Sequence, residues 1–309
     1  MKKLSIALVV NFLLILLSSC GGENDKTIVQ NLKVNVSNYI VNGENANLTR
    51  FPWHVSIGLP LDGGHFCGGS IISSKFIITA AHCVAGRYES GTVLKAGGDG
   101  TFTNLKLLPE IKRIIVHPDF KAFMKNCGVQ HNDIALLELK ENIEFDDTTD
   151  MINLPESYLT GKELLFDEQS KLIVSGWGLT TNETQEYSKE LKYVDNMSPL
   201  PLREDSFWET EENFEKHIPK SVWEYSIFVK YRPLETFKTG DYIALQTKDQ
   251  RSTCLGDSGG PLVDENAKVL LGVNSHSSNT HDCKEAKVVY YTNVFKQLDW
   301  IRSQCYDCK

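Results

Sequence analysis

Residues Cys67 to Cys83 read CGGSIISSKFIITAAHC, two runs of β-branched and aromatic residues separated by Ser73-Ser74. Such runs fit a pleated surface and adjacent serines suit a turn, so the stretch predicts a β-hairpin. Closing the hairpin sets Cys67 opposite Cys83 and carries His82 to the far end of the second strand. Similar short runs recur between Gly, Asn and Ser turns: HVSIGL, IKRIIV, IALLEL, KLIVSGWG, VLLGVNS and VVYYTNV. The expectation is a mostly antiparallel β protein. Helical spacing is clear only at the end, where Val294, Leu298, Ile301, Cys305 and Cys308 fall on one face that should dock on the sheets. A second amphipathic stretch, Arg203 to Tyr225, is acidic and aromatic and reads as a helical surface insertion.

Working outward, the chain has 309 residues, 41% hydrophobic and 23% charged, which is ordinary for a globular protein. Its formal net charge of -8 argues against a phosphate backbone as partner and favours proteins or peptides. At the start, Lys2 and Lys3 precede an apolar run from Leu4 to Leu17. That run is short for a bilayer span and has the length of a signal-peptide core, so residues 1–19 read as an export signal. The sequence LSSCG around Cys20 resembles a bacterial lipoprotein signal, in which cleavage leaves the cysteine as a lipid-modified N-terminus. An ordinary signal peptide that happens to contain Cys20 is the alternative. Residues 20–39 read as a tether or propeptide. The membrane is then expected as a partner only through Cys20, with the chain an anchored precursor from which a soluble form can be released. The other seven cysteines, Cys67, Cys83, Cys127, Cys254, Cys283, Cys305 and Cys308, suit disulfides in an oxidising compartment. Cys305 and Cys308 form the chain's one C-x-x-C pair, so neither a structural metal nor another cofactor is expected.

In CLGDSGGPL, Cys254 to Leu262, a single serine stands among glycines. Alone this is a glycine-permitted turn. A serine hydroxyl becomes a nucleophile only when a base takes its proton and a third group orients that base. An isolated His82 would be read as structural, and an isolated Asp133, opening NDIALLEL, as a solvated strand end. Together, TAAHC, NDIALLEL and CLGDSGGPL, in that order, resemble the chymotrypsin-like serine proteases. FPWHVSI, SGWG at Ser175 to Gly178, YTNV at Tyr291 to Val294 and Trp300 extend the resemblance from Ile40 to about Cys305.

The resemblance implies two six-stranded antiparallel β-barrels, over 40–155 and 156–309, with a C-terminal helix and the site in the cleft between them. It implies that Ser258 attacks the scissile carbonyl, His82 moves the proton and Asp133 orients the imidazole. The backbone amides of Gly256 and Ser258 would form the oxyanion hole, and Ser275 would support Asp133. Cleavage after Tyr39 would free the Ile40 amine to pair with Asp257. Cys67 with Cys83, and Cys254 with Cys283, match bridges common in the family, whereas Ala244 stands where a third bridge would need a cysteine. Cys127 is expected to bridge Cys305 or Cys308, the alternatives being that all three are reduced or that Cys305 and Cys308 pair with each other. In the specificity pocket, Ser252 occupies the place of the aspartate that pairs with Arg or Lys in trypsin-like relatives. Ser275-His276-Ser277 replaces a usual Ser-Trp-Gly wall, and Val289 replaces a usual facing glycine. With polar lining from Thr253, Asn274 and Ser277, the pocket is expected to take small residues. An activating protease and a protein inhibitor are the further partners implied. The alternative function is a catalytically silent homologue acting as a surface binding protein.

Overall fold

The hairpin forms as β3 (His65–Ile71) and β4 (Phe76–Thr79), with Ser70 opposite Ile78 and Ile71 opposite Ile77. Its turn is organised by Ser73, whose Oγ accepts from the amides of Lys75 at 3.1 Å and Phe76 at 3.0 Å, the backbone-mimicking bond that makes serine a turn residue. All four residues of β4 are buried, because the strand is covered on both faces, and an unbroken apolar run is what such a strand requires. The computed structural model describes residues 40, 43–60, 64–120, 131–155, 171–179, 187–195, 197–199, 241–247, 250–277, 283–286 and 288–308. The leader and tether, Cys127 and the acidic 203–225 stretch lie outside the described residues.

Around the hairpin builds a seven-stranded sheet with β2 (His54–Gly58), β5 (Val93–Ala96), β6 (Lys106–Leu107), β7 (Ile111–Val116) and β8 (Ala135–Leu139), in the order β6-β5-β2-β3-β4-β8-β7. A second, eight-stranded sheet comprises β1 (Glu44–Asn45), β9 (Leu172–Gly176), β10 (Lys192–Val194), β11 (Ser198–Pro199), β12 (Tyr242–Gln246), β13 (Pro261–Asp264), β14 (Val269–Ser277) and β15 (Val288–Asn293). Its order is β1-β10-β9-β13-β14-β15-β12-β11, and every strand pair described in either sheet is antiparallel. The fold is thus all-β, two curled antiparallel sheets and a short C-terminal helix, as the resemblance implied. The strand tallies of seven and eight include two-residue strands. Although β1 comes first in the chain, it pairs with β10 in the second sheet, Glu44 opposite Tyr193.

The terminal helix, Leu298–Gln304, follows a 3-10 turn over Phe295–Gln297. The predicted face is the buried one: Val294, Leu298, Ile301 and Cys305 pack into the core cluster of the first sheet, and Trp300 lies against His117 at 4.8 Å. One expectation fails here. Cys305 bridges Cys308, not Cys127. The helix stops at Gln304, Tyr306-Asp307 turn, and Cys308 returns to 5.5 Å from Cys305 between Cα atoms, within bridging range.

Candidate active site

The one-turn helix Ala81–Val84 follows β4 and carries His82, while Asp133 sits just ahead of β8, the strand that pairs with β4. Neighbouring strand ends therefore bring together residues 51 apart in the chain. His82 Nδ1 lies 2.7 Å from Asp133 Oδ2, and the His82 backbone amide donates to Oδ1 at 2.8 Å. Ser275 Oγ donates to Oδ2 at 2.6 Å, and Thr292 Oγ1 donates to the Asp133 carbonyl at 2.9 Å. Asp133 is fully buried, and burial alone would raise its pKa. The His82 charge and the hydrogen bonds from His82 and Ser275 outweigh that and hold the carboxyl below the usual range. Burial likewise pulls His82 down, but Asp133 carries it above the ordinary 6.5. The pair is built as imidazole and carboxylate, the orienting half of a proton-transfer group.

Ser258 is placed against this pair by the second sheet. Its carbonyl accepts from Gly68 on β3 at 2.7 Å, and Cys83 Sγ, in the Cys67–Cys83 bridge, lies 3.7 Å from that carbonyl and 3.7 Å from His82 Nε2. His82 and Ser258 thus flank one sulfur. Both are part-exposed and open to a substrate.

The turn before Ser258 is held by its carbonyls. Leu255 O accepts from Leu179 N at 2.7 Å and Asp257 O from Gly260 N at 3.0 Å. In a trans peptide the N–H points opposite its carbonyl, so the amides of Gly256 and Ser258 are turned away from those partners. Among the described residues neither amide donates to a backbone carbonyl. Gly256 has φ +97°, and a side chain there would strike the Tyr187 ring, so the position admits only glycine.

Asp257 points into the protein. Its carboxylate accepts from Gly178 N and Cys254 N, each at 2.8 Å. Side chains at Gly176 or Gly178 would collide with that carboxylate, which explains both glycines of SGWG. Burial pushes the Asp257 carboxyl up to about 7, against the pull of those two amides. Ile40 is fully buried in the second core cluster, with Leu172, Val174, Ile243 and Tyr291, and holds φ at +32°, a rare value for a β-branched residue.

The pocket candidates are closely packed. Ser277 and Val289 stand opposite each other across β14 and β15, and Ser252 Oγ donates to the Thr253 carbonyl at 3.0 Å. Val289 joins the second core cluster. The Ser275 hydroxyl goes to Asp133. Cys254–Cys283 ties this region as expected.

Sequence reasoning passed over several residues behind the nucleophile turn. His65 Nε2 donates to the Gly256 carbonyl at 2.9 Å and Nδ1 takes the Ser56 hydroxyl at 2.8 Å, burial holding the ring neutral with a pKa of about 4. His54 Nδ1 meets Ser175 Oγ at 2.8 Å, joining the two sheets. The available signal was a histidine inside an otherwise apolar strand, in HVSIG and HFCGG, where a polar ring needs a partner. Among the described residues two clusters have metal-ligand composition, Cys67/His82/Cys83 and Cys305/Asp307/Cys308. Each contains a disulfide, whose sulfurs are no longer thiolate ligands.

Several known proteins are similar to this chain in sequence or in fold. The trypsin family model matches residues 40–301. An ovochymase of Halocynthia roretzi is 30% identical over 271 residues, 85% of this chain but 15% of its own length. The collagenase of Hypoderma lineatum is 29% identical over 266 residues, 85% of this chain and 86% of its own. Human transmembrane protease serine 11B is 28% identical over 291 residues, 92% of this chain and 58% of its own. A solved HL collagenase structure, 26% identical, superposes with a TM-score of 0.61 over 85% of this chain and 97% of that one. A human heparin binding protein, 21% identical, shares the fold with a TM-score of 0.62 over 87% and 98%.

Proposed function

This chain belongs to the trypsin family, and we propose that it is a serine endopeptidase in which Ser258 is the nucleophile, His82 the general base and acid, and Asp133 the group that orients the imidazole. The observation that carries the reading is the buried Asp133 carboxylate, bonded to the His82 ring and amide and to Ser275, with a part-exposed Ser258 against the same Cys83 sulfur as His82. Attack by Ser258 Oγ on a peptide carbonyl forms an ester and passes the hydroxyl proton to His82 Nε2. That proton then goes to the leaving amine, and water reverses the sequence to release the acid. The amides of Gly256 and Ser258 receive the oxyanion in both halves. The substrates are proteins or peptides.

The reading includes a zymogen. Cutting after Tyr39 frees the Ile40 amine, whose charge compensates the buried Asp257 and completes the oxyanion hole. The pocket, with Val289 and Ser277 facing each other and no acidic residue at Ser252, favours small side chains over Arg or Lys. Tyr39 suits that pocket poorly, so a separate protease activates the chain. Acylated Cys20 anchors the precursor until that cut. A fluorophosphonate probe applied before and after cleavage at Tyr39 tests the proposal: the cleaved form should be labelled on Ser258 and the intact form should not. Absence of labelling in the cleaved form would favour a silent homologue, and equal labelling of both forms would remove the zymogen.

A further inference from the structure

His276 has no role in the mechanism above, yet it is built into the support of Asp133. It follows Ser275 on β14 at a bulge, where the register with β15 slips between Asn274 and His276. Bulges re-aim side chains, and this one brings His276 Nδ1 to 3.1 Å from Ser275 Oγ. The ring is clamped in that orientation. It stacks on Tyr290 with centroids 4.7 Å apart and planes 17° apart, and meets Tyr242 edge-on at 5.5 Å.

The direction of the bond follows from proton counting. Ser275 has one hydroxyl hydrogen, and it goes to Asp133 Oδ2, which can only accept. The bond between Ser275 and His276 must therefore be donated by the ring. We propose that His276 is a positioning residue for the triad, its Nδ1–H donating to Ser275 Oγ and, through that hydroxyl, holding the Asp133 carboxylate that orients His82. The inference rests on the roles given above to Ser258, His82 and Asp133.

A hydroxyl that accepts a hydrogen bond donates a stronger one, so His276 strengthens the Ser275–Asp133 bond. A carboxylate held this way is a weaker base, which restrains the proton affinity it confers on His82. Donation from one nitrogen requires a defined tautomer, and burial keeps the ring neutral: it lowers the His276 pKa to about 4, with Asp133 pulling upward and His82 downward.

Two measurements test this, the first independent of turnover. Nitrogen-15 NMR of the cleaved protein with labelled histidine, assigned by comparison with His276→Asn, should show His276 protonated on Nδ1. An Nε2–H tautomer would overturn the proposal. In the second, His276→Phe keeps the stack on Tyr290 and removes the donor. It should lower kcat about three- to tenfold, the worth of one hydrogen bond, and move the acid limb of kcat/KM upward. His276→Asn, whose amide nitrogen takes the place of Nδ1, should return the limb toward wild type. In a Ser275→Ala background the Phe substitution should change nothing further. A wild-type acid limb in His276→Phe, or its full effect persisting without the Ser275 hydroxyl, would overturn the role. If the wild-type protein shows no Ser258-dependent turnover, the catalytic reading fails while the tautomer still reports on the bond. If the Phe variant does not fold, the tautomer decides.

Discussion

Asp133 shows how much chemistry one buried side chain can organise. Its three accepted hydrogens come from the His82 ring, the His82 amide and Ser275, and together they overcome the desolvation of a fully buried charge. Because His82 is raised above 6.5, the acid limb of kcat/KM should lie above that value, since the base works only when neutral. The same raised pKa means the charged pair's contribution to stability is fully present below about 6.5 and is lost as pH rises through the raised value. Asp133→Asn should abolish the upward displacement and lower kcat by about 10⁴-fold, as a pH–rate series would show. Asp257 is shifted up where Asp133 is shifted down, so its effect on stability runs in the same direction as that of His82. A carboxyl raised to about 7 binds a proton in the folded chain that it has lost in the unfolded one, so stability falls as pH rises from about 4 to 7. The uncut chain should therefore melt lower at pH 8 than at pH 5 on this account, and the Ile40 form should lose less, its amine having compensated the charge. Calorimetry of both forms at the two pH values measures it. The residues inside TAAHC, NDIALLEL and CLGDSGGPL were legible because each belongs to a fixed local phrase. His54, His65 and His276 were not, because each acts through a partner on another strand, and a lone histidine in a strand announces none.

At the scale of elements, legibility followed how local the determinant is. The hairpin closes on its own Ser73 turn, and the terminal helix buries the face that its spacing marked. The end of that helix was misread, because a seven-residue helix leaves Cys305 and Cys308 in a turn where they find each other. Pairing between distant strands was legible only through the resemblance, which set Val289 facing the Ser275–Ser277 wall: it does pair with Ser277 on β14, but nothing in VVYYTN marked Leu245 on β12 as its other neighbour. That position makes a double-edged prediction. Val289→Gly should widen the substrate profile toward larger residues, and it should also destabilise the protein by about 2 to 4 kcal/mol, from the lost burial and the freed backbone. A peptide library and a denaturation curve on the same variant read the two effects. A profile that stays with small residues while stability drops would place Val289 in the core alone.

For the molecule as a whole, the first described residues belong to one half and lead into the other, adding to links such as His54 to Ser175. The chain enters at Ile40 in the core of the second sheet, adds β1 to that sheet, and only then builds the first. Two reaches of chain therefore depend on what happens near residue 40. With six cysteines paired among the described residues, Cys20 and Cys127 are the two that remain of eight. An acylated Cys20 cannot also form a bridge, so anchoring and a Cys20–Cys127 disulfide exclude each other. Peptide mapping of the precursor should find the acylated N-terminal peptide; a disulfide-linked peptide pair would remove the anchor and would keep the severed segment attached after activation. At Ile40 itself the backbone holds φ at +32°, crowding a forked side chain at roughly 1–3 kcal/mol. That angle exists only while residue 39 is attached. Breaking the bond erases the dihedral along with its penalty, and resynthesis, which proteases can in principle catalyse, would have to restore both. If the proposed cut after Tyr39 is made, the backbone at this one residue acts as a ratchet, favouring the cut and opposing its reversal by the same roughly 1–3 kcal/mol, whatever becomes of the piece that falls away.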